Sequence, residues 1–328
     1  MPKKPQGSRS VAAMTEITQG VGAGRYAPSP SGDLHIGNLR TAVLAWVFAR
    51  AEGKRFVLRV EDLDRVKEGA AQRQLTDLAQ IGLDWDPPVL LQSERQEVHR
   101  AAVVDLSERG LTYECYCTRR EIQAEIAAAG GAPHGAPGAY PGTCRNLTAQ
   151  QREQRRRDRP PAIRLRAQAE TATVTDRLAG EVTEAVDDMV LLRNDGRPAY
   201  NLAVVLDDTF QGVDQVVRAD DLLSSAPRQA HLAHLLGLVQ VKYIHVPLVL
   251  NTSGQRLAKR DGAVTLGDLR AAGHTTAEVM EWMGRSLGLP SQVACAQDVL
   301  DQHTHLRLTD GPWTFTPPST SSTQPTGP

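Results

Sequence analysis

The stretch that decides the fold is Arg25-Tyr-Ala-Pro-Ser-Pro-Ser-Gly-Asp-Leu-His35-Ile-Gly-Asn38. Residues 21–25 before it predict a short β-strand, and the residues after it predict an amphipathic helix that starts at Ile36. The prolines and the Ser-Gly pair favour a tight turn between the two elements. A helix N-terminus in this position offers unpaired N–H groups and a positive dipole end, so we expect a phosphate site beside the His35 imidazole. An ordinary strand-to-helix turn with a surface histidine fits the local pattern equally well.

Strands and helices alternate along the rest of the chain. Residues 55–60 and 243–250 are apolar enough to predict buried strands, and residues 68–82 and 94–110 have helical spacing. This alternation predicts an α/β fold with a parallel sheet, in which ligands bind at the carboxyl ends of the strands.

Changes in composition predict the domain boundaries. Residues 1–20 are polar and aperiodic, and residues 291–328 end in a run of Thr, Ser and Pro, so we expect both segments to be disordered. Residues 111–187 are rich in Cys, Gly, Pro and Arg, which favours an insertion over a part of the sheet. The catalytic domain would then span residues 21–290.

The overall composition excludes several classes of protein. The chain has 328 residues, 41% of them hydrophobic, and a net charge of −1, so no global positive field attracts nucleic acid. Four cysteines in this length exclude a disulfide-stapled scaffold and favour a reducing compartment. We find neither a signal-peptide pattern nor a run long enough to span a bilayer. These observations predict a cytoplasmic protein without a membrane partner. We expect the protein to be a monomer.

Three of the cysteines are grouped. Cys115-x-Cys117 is followed by Tyr140-x-x-x-Cys144, and three thiolates so close in sequence suggest ligands for one tetrahedral Zn²⁺. The fourth ligand is Tyr140 or His134. Three unrelated buried cysteines are the alternative.

Other charged segments have a structural and a functional interpretation. Glu61 follows the predicted strand 55–60 and could pair with a substrate ammonium group, although acids there are often surface turn residues. Arg218 lies near two aspartates, where a surface ion pair is the alternative to a carboxylate clamp. The arginine-rich residues 151–166 could follow an RNA backbone, but interspersed acids favour a solvated helix face.

These motifs together resemble a known family. The segment from Arg25 to Asn38 resembles the first signature of the class I aminoacyl-tRNA synthetases, in particular their glutamyl branch. Residues 256–260 are similar to the second signature, with Lys259 at its second lysine and Ala258 in place of a serine. The segments around Tyr200 and Arg218 also look like segments of this family.

The resemblance implies a Rossmann-like synthetase domain over about residues 24–289, with a zinc-bearing insertion and a short helical C-terminal part. It implies that the enzyme activates L-glutamate with ATP and Mg²⁺, and that His35 and Lys259 stabilise the phosphates. Implied ATP contacts are His35, Gly37, Asn38 and Lys259. Implied glutamate contacts are Arg25, Tyr26, Ala27, Pro28, Ser29, Glu61, Tyr200 and Arg218.

The cysteine group points to a subfamily. Together with the fewer than seventy residues that follow Lys259, it resembles the short glutamyl-queuosine tRNA(Asp) synthetases, which place glutamate on the queuosine of the tRNA(Asp) anticodon. That resemblance favours Tyr140 as the fourth zinc ligand. Two alternatives remain: a truncated glutamyl-tRNA synthetase that acts at the tRNA 3′ end, and a catalytically silent, synthetase-like RNA-binding protein, which Asn38 and Ala258 would suit.

Overall fold

The chain folds into two compact units. The computed structural model describes residues 21–128, 140–257, 264–308 and 311–316. Unit 1 contains mainly Leu91–Asp214 and Leu222–Tyr243. Unit 2 contains Ala23–Leu90, Gln215–Asp221 and the described residues from Ile244 onward. The predicted N-terminal extension, residues 1–20, lies outside the described residues.

Short strands and helices alternate along both units. The strands are β1 Ala23–Tyr26, β2 Arg55–Val60, β3 Leu90–Leu91, β4 Thr112–Cys115, β5 Ala162–Leu165, β6 Thr171–Asp176, β7 Gly180–Ala185, β8 Val190–Leu192, β9 Val213–Ala219, β10 Lys242–Val246, β11 Val249–Leu250 and β12 Trp313–Thr314. The α-helices are α1 Ile36–Ala51, α2 Ala70–Gln80, α3 Gln96–Glu108, α4 Arg119–Ala128, α5 Ala149–Asp158, α6 Tyr200–Phe210, α7 Ala226–Leu235, α8 Leu266–Ala271, α9 Thr276–Ser286 and α10 Ala296–Asp301.

The sheet of unit 2 confirms the predicted α/β class. Its strands lie in the order β3-β2-β1-β9-β10, and β1 pairs with β2 in parallel, with Ala23 opposite Arg55 and Tyr26 opposite Leu58. The predicted strand at residues 55–60 is confirmed, whereas β1 starts at Ala23 rather than at residue 21. Parallel pairing places the residues that follow β1 and β2 at the same edge of the sheet.

Helix α1 starts at Ile36 as predicted, but it is not amphipathic. Eleven of its sixteen residues are buried, because it packs against β1 and β2 and also against α10. A helix covered on several sides is apolar all round. The helix ends at Ala51. Two residues later, the φ of 66° at Gly53 allows the chain to turn while the Gly53 N–H donates to the Arg50 carbonyl.

The predicted disorder from residue 291 onward is wrong for the described part of that segment. In α10, Ala296 and Val299 are fully buried, and the Ala296 N–H donates to the Ile81 carbonyl. Farther on, β12 pairs in parallel with β11, and Phe315 is buried. Residues 317–328 lie outside the described residues.

Unit 1 contains a small antiparallel sheet with the order β4-β5-β8. Its hydrophobic core joins β5 and β8 to α3, α6 and α7, and its buried members are Ala102, Val103, Leu106, Leu165, Met189, Leu191, Leu202, Leu206, Leu232 and Leu236. Strands β6 and β7 form an antiparallel pair, and Asp176 of β6 pairs in parallel with Tyr243 of β10. We expected residues 111–187 to lie outside the parallel sheet, and this pairing corrects that expectation for β6. Among the described residues, no helix combines the length and apolar character needed to cross a membrane.

Candidate functional site

Three charged side chains are buried at the ends of the strands in unit 2. Arg25 is the third residue of β1, Arg218 is the sixth of β9, and Glu61 directly follows β2; their exposed fractions are 4%, 5% and 8%. Arg25 Nη1 donates to the Val217 carbonyl at 2.9 Å, which places the Arg25 guanidinium beside the residue that precedes Arg218. The three side chains thus lie on or directly after neighbouring strands of one sheet, in the order β2-β1-β9.

The turn after β1 is held against Glu61. The Glu61 N–H donates to the Pro28 carbonyl at 3.0 Å, and Arg59 Nη2 lies 3.4 Å from Glu61 Oε1. Burial raises the pKa of Tyr26 above its ordinary value; the Glu61 carboxylate adds to this shift and the Arg25 charge opposes it. Tyr26 therefore stays neutral. The structure thus brings the predicted residues Arg25, Tyr26, Pro28 and Glu61 together, with Ala27 and Ser29 in the same turn.

Arg218 has a partner that the sequence did not reveal. Its Nε donates to His245 Nε2 at 2.9 Å, and both side chains are buried. His245 lies on β10, in a run of apolar residues, and a lone histidine in a buried strand is the signal that could have drawn attention to it.

The first turn of α1 does not offer the free N–H groups that we expected. His35 is the N-cap of α1, and its Nδ1 accepts hydrogen bonds from the N–H groups of Gly37 and Asn38 at 3.1 and 3.2 Å. The Ile36 N–H donates to the Val264 carbonyl at 2.8 Å. In return, Asn38 Oδ1 accepts from the His35 N–H at 3.3 Å. These bonds stabilise the helix start, so the N–H groups of the first turn are not bare, and the predicted phosphate site beside His35 stays a prediction.

The cap fixes the tautomer of His35 instead. Burial lowers the pKa of His35 to about 4, so the ring is neutral near pH 7. Because Nδ1 accepts two hydrogen bonds, the single ring proton resides on Nε2, which is then a donor. Glycine suits position 37, since a Cβ there would lie 3.0 Å from the imidazole, which is closer than ordinary van der Waals contact.

A neutral, partly buried His35 makes stability depend on pH. As the pH falls below 6.5, the unfolded chain binds a proton at this histidine and the folded chain does not until about pH 4, so stability is lost over that interval. Between pH 7 and pH 5 the loss from this group is about 2 kcal/mol. His35→Asn keeps a good N-cap without titrating. Urea unfolding at both pH values should show a smaller loss for His35→Asn than for the parent, and an equal loss in both would contradict this account.

Backbone bridges connect the region of the second signature to neighbouring segments, including the first signature. Thr265 forms an antiparallel bridge with His35, and Leu250 forms another with Arg256, which also pairs with Asp221. Leu257, the second residue of the signature, and Val264, which follows the signature, are both buried. Ala258 and Lys259 lie outside the described residues, so the predicted phosphate contact of Lys259 stays a prediction. The same holds for Tyr200, which is the first residue of α6 in unit 1 and is 41% exposed.

The cysteines of unit 1 form a compact group. The sulfur atoms of Cys115, Cys117 and Cys144 lie within 4.8 Å of one another, with 3.5 Å between those of Cys117 and Cys144. Tetrahedral Zn²⁺ with four ligands at about 2.3 Å would separate its sulfur atoms by about 3.8 Å. The Tyr140 hydroxyl lies 3.4 and 3.5 Å from the sulfur atoms of Cys115 and Cys117. This donor set fits a zinc ion, with Tyr140 in the fourth position; His134 lies outside the described residues.

Buried Asp188, which the sequence analysis missed, supports the cysteine group. Its carboxylate accepts from the Tyr113 hydroxyl and from Arg145 Nη1, both at 2.6 Å. Its carbonyl accepts from Arg164, whose guanidinium lies 3.7 Å from the centre of the Tyr140 ring. The apolar residues that follow Asp188 are a weak signal that it is buried. We expected residues 151–166 to form a solvated face. This is confirmed for α5, where no residue is buried, but it is wrong for Arg164, which is buried.

Comparison with known proteins identifies the family. A family model described as "tRNA synthetases class I (E and Q), catalytic domain" matches residues 23–316. The glutamyl-Q tRNA(Asp) synthetase of Nocardia farcinica is 61% identical over 296 residues, which cover 90% of this chain and 93% of that protein. A glutamate–tRNA ligase of Azorhizobium caulinodans is 40% identical over 269 residues, which cover 80% of this chain but 56% of the ligase.

A solved structure agrees with this assignment at the level of the fold. The glutamate-tRNA synthetase of Elizabethkingia anophelis superposes with a TM-score of 0.74 at 23% identity, covering 90% of this chain and 68% of that one. The chain therefore belongs to the class I tRNA synthetases of the E and Q type, and within them to the glutamyl-Q tRNA(Asp) synthetases.

Proposed function

We propose that this ligase activates L-glutamate with ATP and transfers the glutamyl group to the queuosine in the anticodon of tRNA(Asp). The observation that carries the first step is the buried group of Arg25, Arg218 and Glu61 in unit 2. Glutamate carries two carboxylates and one ammonium group, and this group of side chains has the complementary charges. We further propose that the enzyme works as a cytoplasmic monomer.

Each charge has a defined task in this proposal. Guanidinium binds carboxylate in a planar, two-point manner, so Arg25 and Arg218 hold the carboxylates of the substrate. Glu61 pairs with the ammonium group. Tyr26, Ala27, Pro28 and Ser29 line the pocket beside Glu61, and Tyr200 is proposed as a further glutamate contact.

Activation requires charge stabilisation and no proton transfer. A carboxylate oxygen of glutamate attacks the α-phosphorus of ATP, the bond to the β-phosphate oxygen breaks, and pyrophosphate leaves. We assign to His35 a hydrogen bond from Nε2–H to a phosphate oxygen, because Nδ1 is engaged in the cap. Gly37 and Asn38 shape this end of the ATP site, and Lys259 neutralises the leaving pyrophosphate. Mg²⁺ enters with ATP.

Zinc has a structural task in this proposal. The ion would be held by Cys115, Cys117, Cys144 and Tyr140. It would cross-link the segment around β4 and take no part in the reaction. The close spacing of the sulfur atoms supports the assignment.

The acceptor is tested with tRNA(Asp) that carries or lacks queuosine. If the proposal is right, radiolabelled glutamate attaches to the modified tRNA, and it still attaches after the 3′-terminal adenosine is removed. Unmodified tRNA(Asp) is the control and should stay unlabelled. Loss of labelling on trimming would instead identify a ligase that acts at the tRNA 3′ end.

Activation can be tested separately from transfer. We expect glutamate-dependent exchange of pyrophosphate into ATP in the absence of tRNA, because the charged side chains assigned to glutamate binding belong to the protein. Aspartate and glutamine serve as control substrates. Background exchange both with and without tRNA would favour a silent RNA-binding protein, and exchange that needs tRNA would contradict independent activation.

A further inference from the structure

We propose that Gln74 is a positioning residue, which holds the turn after β1 in the conformation that aligns glutamate with ATP. This inference rests on the proposed function, because it assumes that the turn connects the glutamate contacts to the phosphate contact of His35. Its basis is one buried amide on α2. Gln74 is 2% exposed, and its Nε2 donates to the Ser29 carbonyl at 3.1 Å and to the Gly32 carbonyl at 2.6 Å.

The turn has few backbone donors of its own. It contains Pro28 and Pro30, which have no N–H group. Within the turn, the Ser31 N–H donates to the Ser29 carbonyl at 2.8 Å. Gly32 follows directly, and glycine has more backbone freedom than any other residue. The conformation of the turn therefore depends on contacts with a neighbouring segment.

The segment after β2 supplies these contacts. The Glu61 N–H donates to the Pro28 carbonyl at 3.0 Å, and the Lys67 N–H donates to the Pro30 carbonyl at 2.8 Å. Both of these bonds come from the backbone of the segment. Gln74 differs from them, because its two bonds come from a side chain and can be removed by substitution.

The chemistry of the amide suits this task. An amide nitrogen carries two N–H groups, so one atom can donate to two carbonyl oxygens. The opposite orientation of the amide would place an oxygen against both of them. The amide oxygen Oε1 of Gln74 is buried and has no hydrogen-bond partner in the described part of the chain. The hydrogen bonds of this side chain are thus made by its nitrogen, and both go to the turn.

The turn connects the two parts of the proposed site. Arg25 on β1 is assigned to a glutamate carboxylate, and Ser29 lines the same pocket, whereas His35 at the start of α1 is assigned to a phosphate oxygen. Activation requires a carboxylate oxygen of glutamate to reach the α-phosphorus of ATP, and a displacement of about 1 Å can slow such a step by about 100-fold. Loss of the Gln74 bonds should therefore slow the reaction more than it weakens the binding of either substrate.

Substitutions of two glutamines on α2 test this inference. Gln74→Met keeps the length and approximate volume of the side chain but removes both N–H donors. Gln74→Asn keeps the amide but shortens the side chain by one methylene, so that its nitrogen no longer reaches both carbonyls. Gln72 lies on the same helix and is exposed, so Gln72→Met and Gln72→Asn are the matched controls.

Pyrophosphate exchange gives kcat and the KM for each substrate. Gln74→Met should lower kcat by a factor of about 10 to 100, because misplaced reacting groups act on the chemical step. Gln74→Asn should lower kcat by at least about threefold for the same reason. The KM for glutamate and the KM for ATP should stay within about threefold of the parent values in both variants. Both Gln72 variants should match the parent in all three constants.

Thermal unfolding and circular dichroism separate this role from a purely structural one. The kinetics are measured well below the unfolding temperature of each variant, and Gln74→Asn, the milder change, provides the test if Gln74→Met does not fold. A lower unfolding temperature with an unchanged kcat would overturn the inference, because Gln74 would then only stabilise the fold. An unchanged kcat with a KM raised more than about tenfold would also overturn it, since Gln74 would then act on binding. Absence of exchange in the parent would instead contradict the proposed function.

Discussion

Replacing Arg218 with alanine is expected to lower kcat/KM for glutamate activation by a factor of about 30 to 5,000. Truncating one partner of a buried charge pair costs about 2–5 kcal/mol, because the other charge is left buried and unpaired. Arg218 is 5% exposed, so water would compensate little for its loss. The KM for ATP should change little, since the proposed phosphate contacts lie on other residues. Pyrophosphate exchange at varied glutamate and ATP concentrations measures both effects.

Two further variants make this experiment specific. Arg218→Lys keeps the charge but loses the planar fork and the Nε–H that bonds to His245, so it should recover only a part of the activity. Arg285→Ala is the matched control: Arg285 is 74% exposed and pairs with Glu281 on the same helix, an interaction worth little. Unchanged glutamate affinity in Arg218→Ala would remove Arg218 from the pocket.

Much of the fold and part of the site follow from local sequence patterns. The strand at residues 55–60 and the start of α1 at Ile36 were predictable because periodicity and turn residues act over a few neighbouring positions. Glu61 and Arg25 each lie at or next to the carboxyl end of a strand. Because β1 and β2 are parallel neighbours, these two ends lie at the same edge of the sheet.

Features that depend on distant contacts were not predictable. Arg218 and His245 are 27 residues apart, and no spacing rule links them. The cap on α1 is different, because it is local: His35 is the N-cap, and the first N–H groups of any helix need an acceptor outside the helix. A cap of this kind can be predicted from sequence wherever a polar residue occupies the N-cap position.

Composition misled us at the C-terminal end. The last dozen residues are rich in Thr, Ser and Pro, and we extended their disorder back to residue 291. Yet Val293, Val299 and Phe315 are buried, and Phe315 packs 6.1 Å from Trp282 between ring centres. A few apolar residues are enough to pack a segment against an existing core. The average composition of the segment does not reveal them, because polar residues outnumber them.

Replacing Cys144 with serine is expected to lower both zinc content and stability. The small core around β4 has as its buried members Tyr113, Cys115, Tyr116, Tyr140 and Cys144. Three of these five are proposed zinc ligands. Loss of the metal would therefore also disturb the packing of this core. The parent should contain about one zinc per chain, and Cys144→Ser should lose most of it together with stability on the order of 3–5 kcal/mol. Metal analysis and thermal unfolding in reducing buffer measure these quantities.

Cys295→Ser provides the matched control for this prediction. Cys295 lies in unit 2 at the start of α10, where its sulfur is 3.6 Å from Asp298, so its replacement should leave the zinc content unchanged. A strong chelator should destabilise the parent and the Cys295→Ser variant alike, and it should have little further effect on Cys144→Ser. If the parent contains no zinc, or if Cys144→Ser unfolds at the same temperature as the parent, the three thiols are ordinary core residues. The packing of Tyr140 against Arg164 and the hydrogen bonds to Asp188 would then have to hold this segment without a metal.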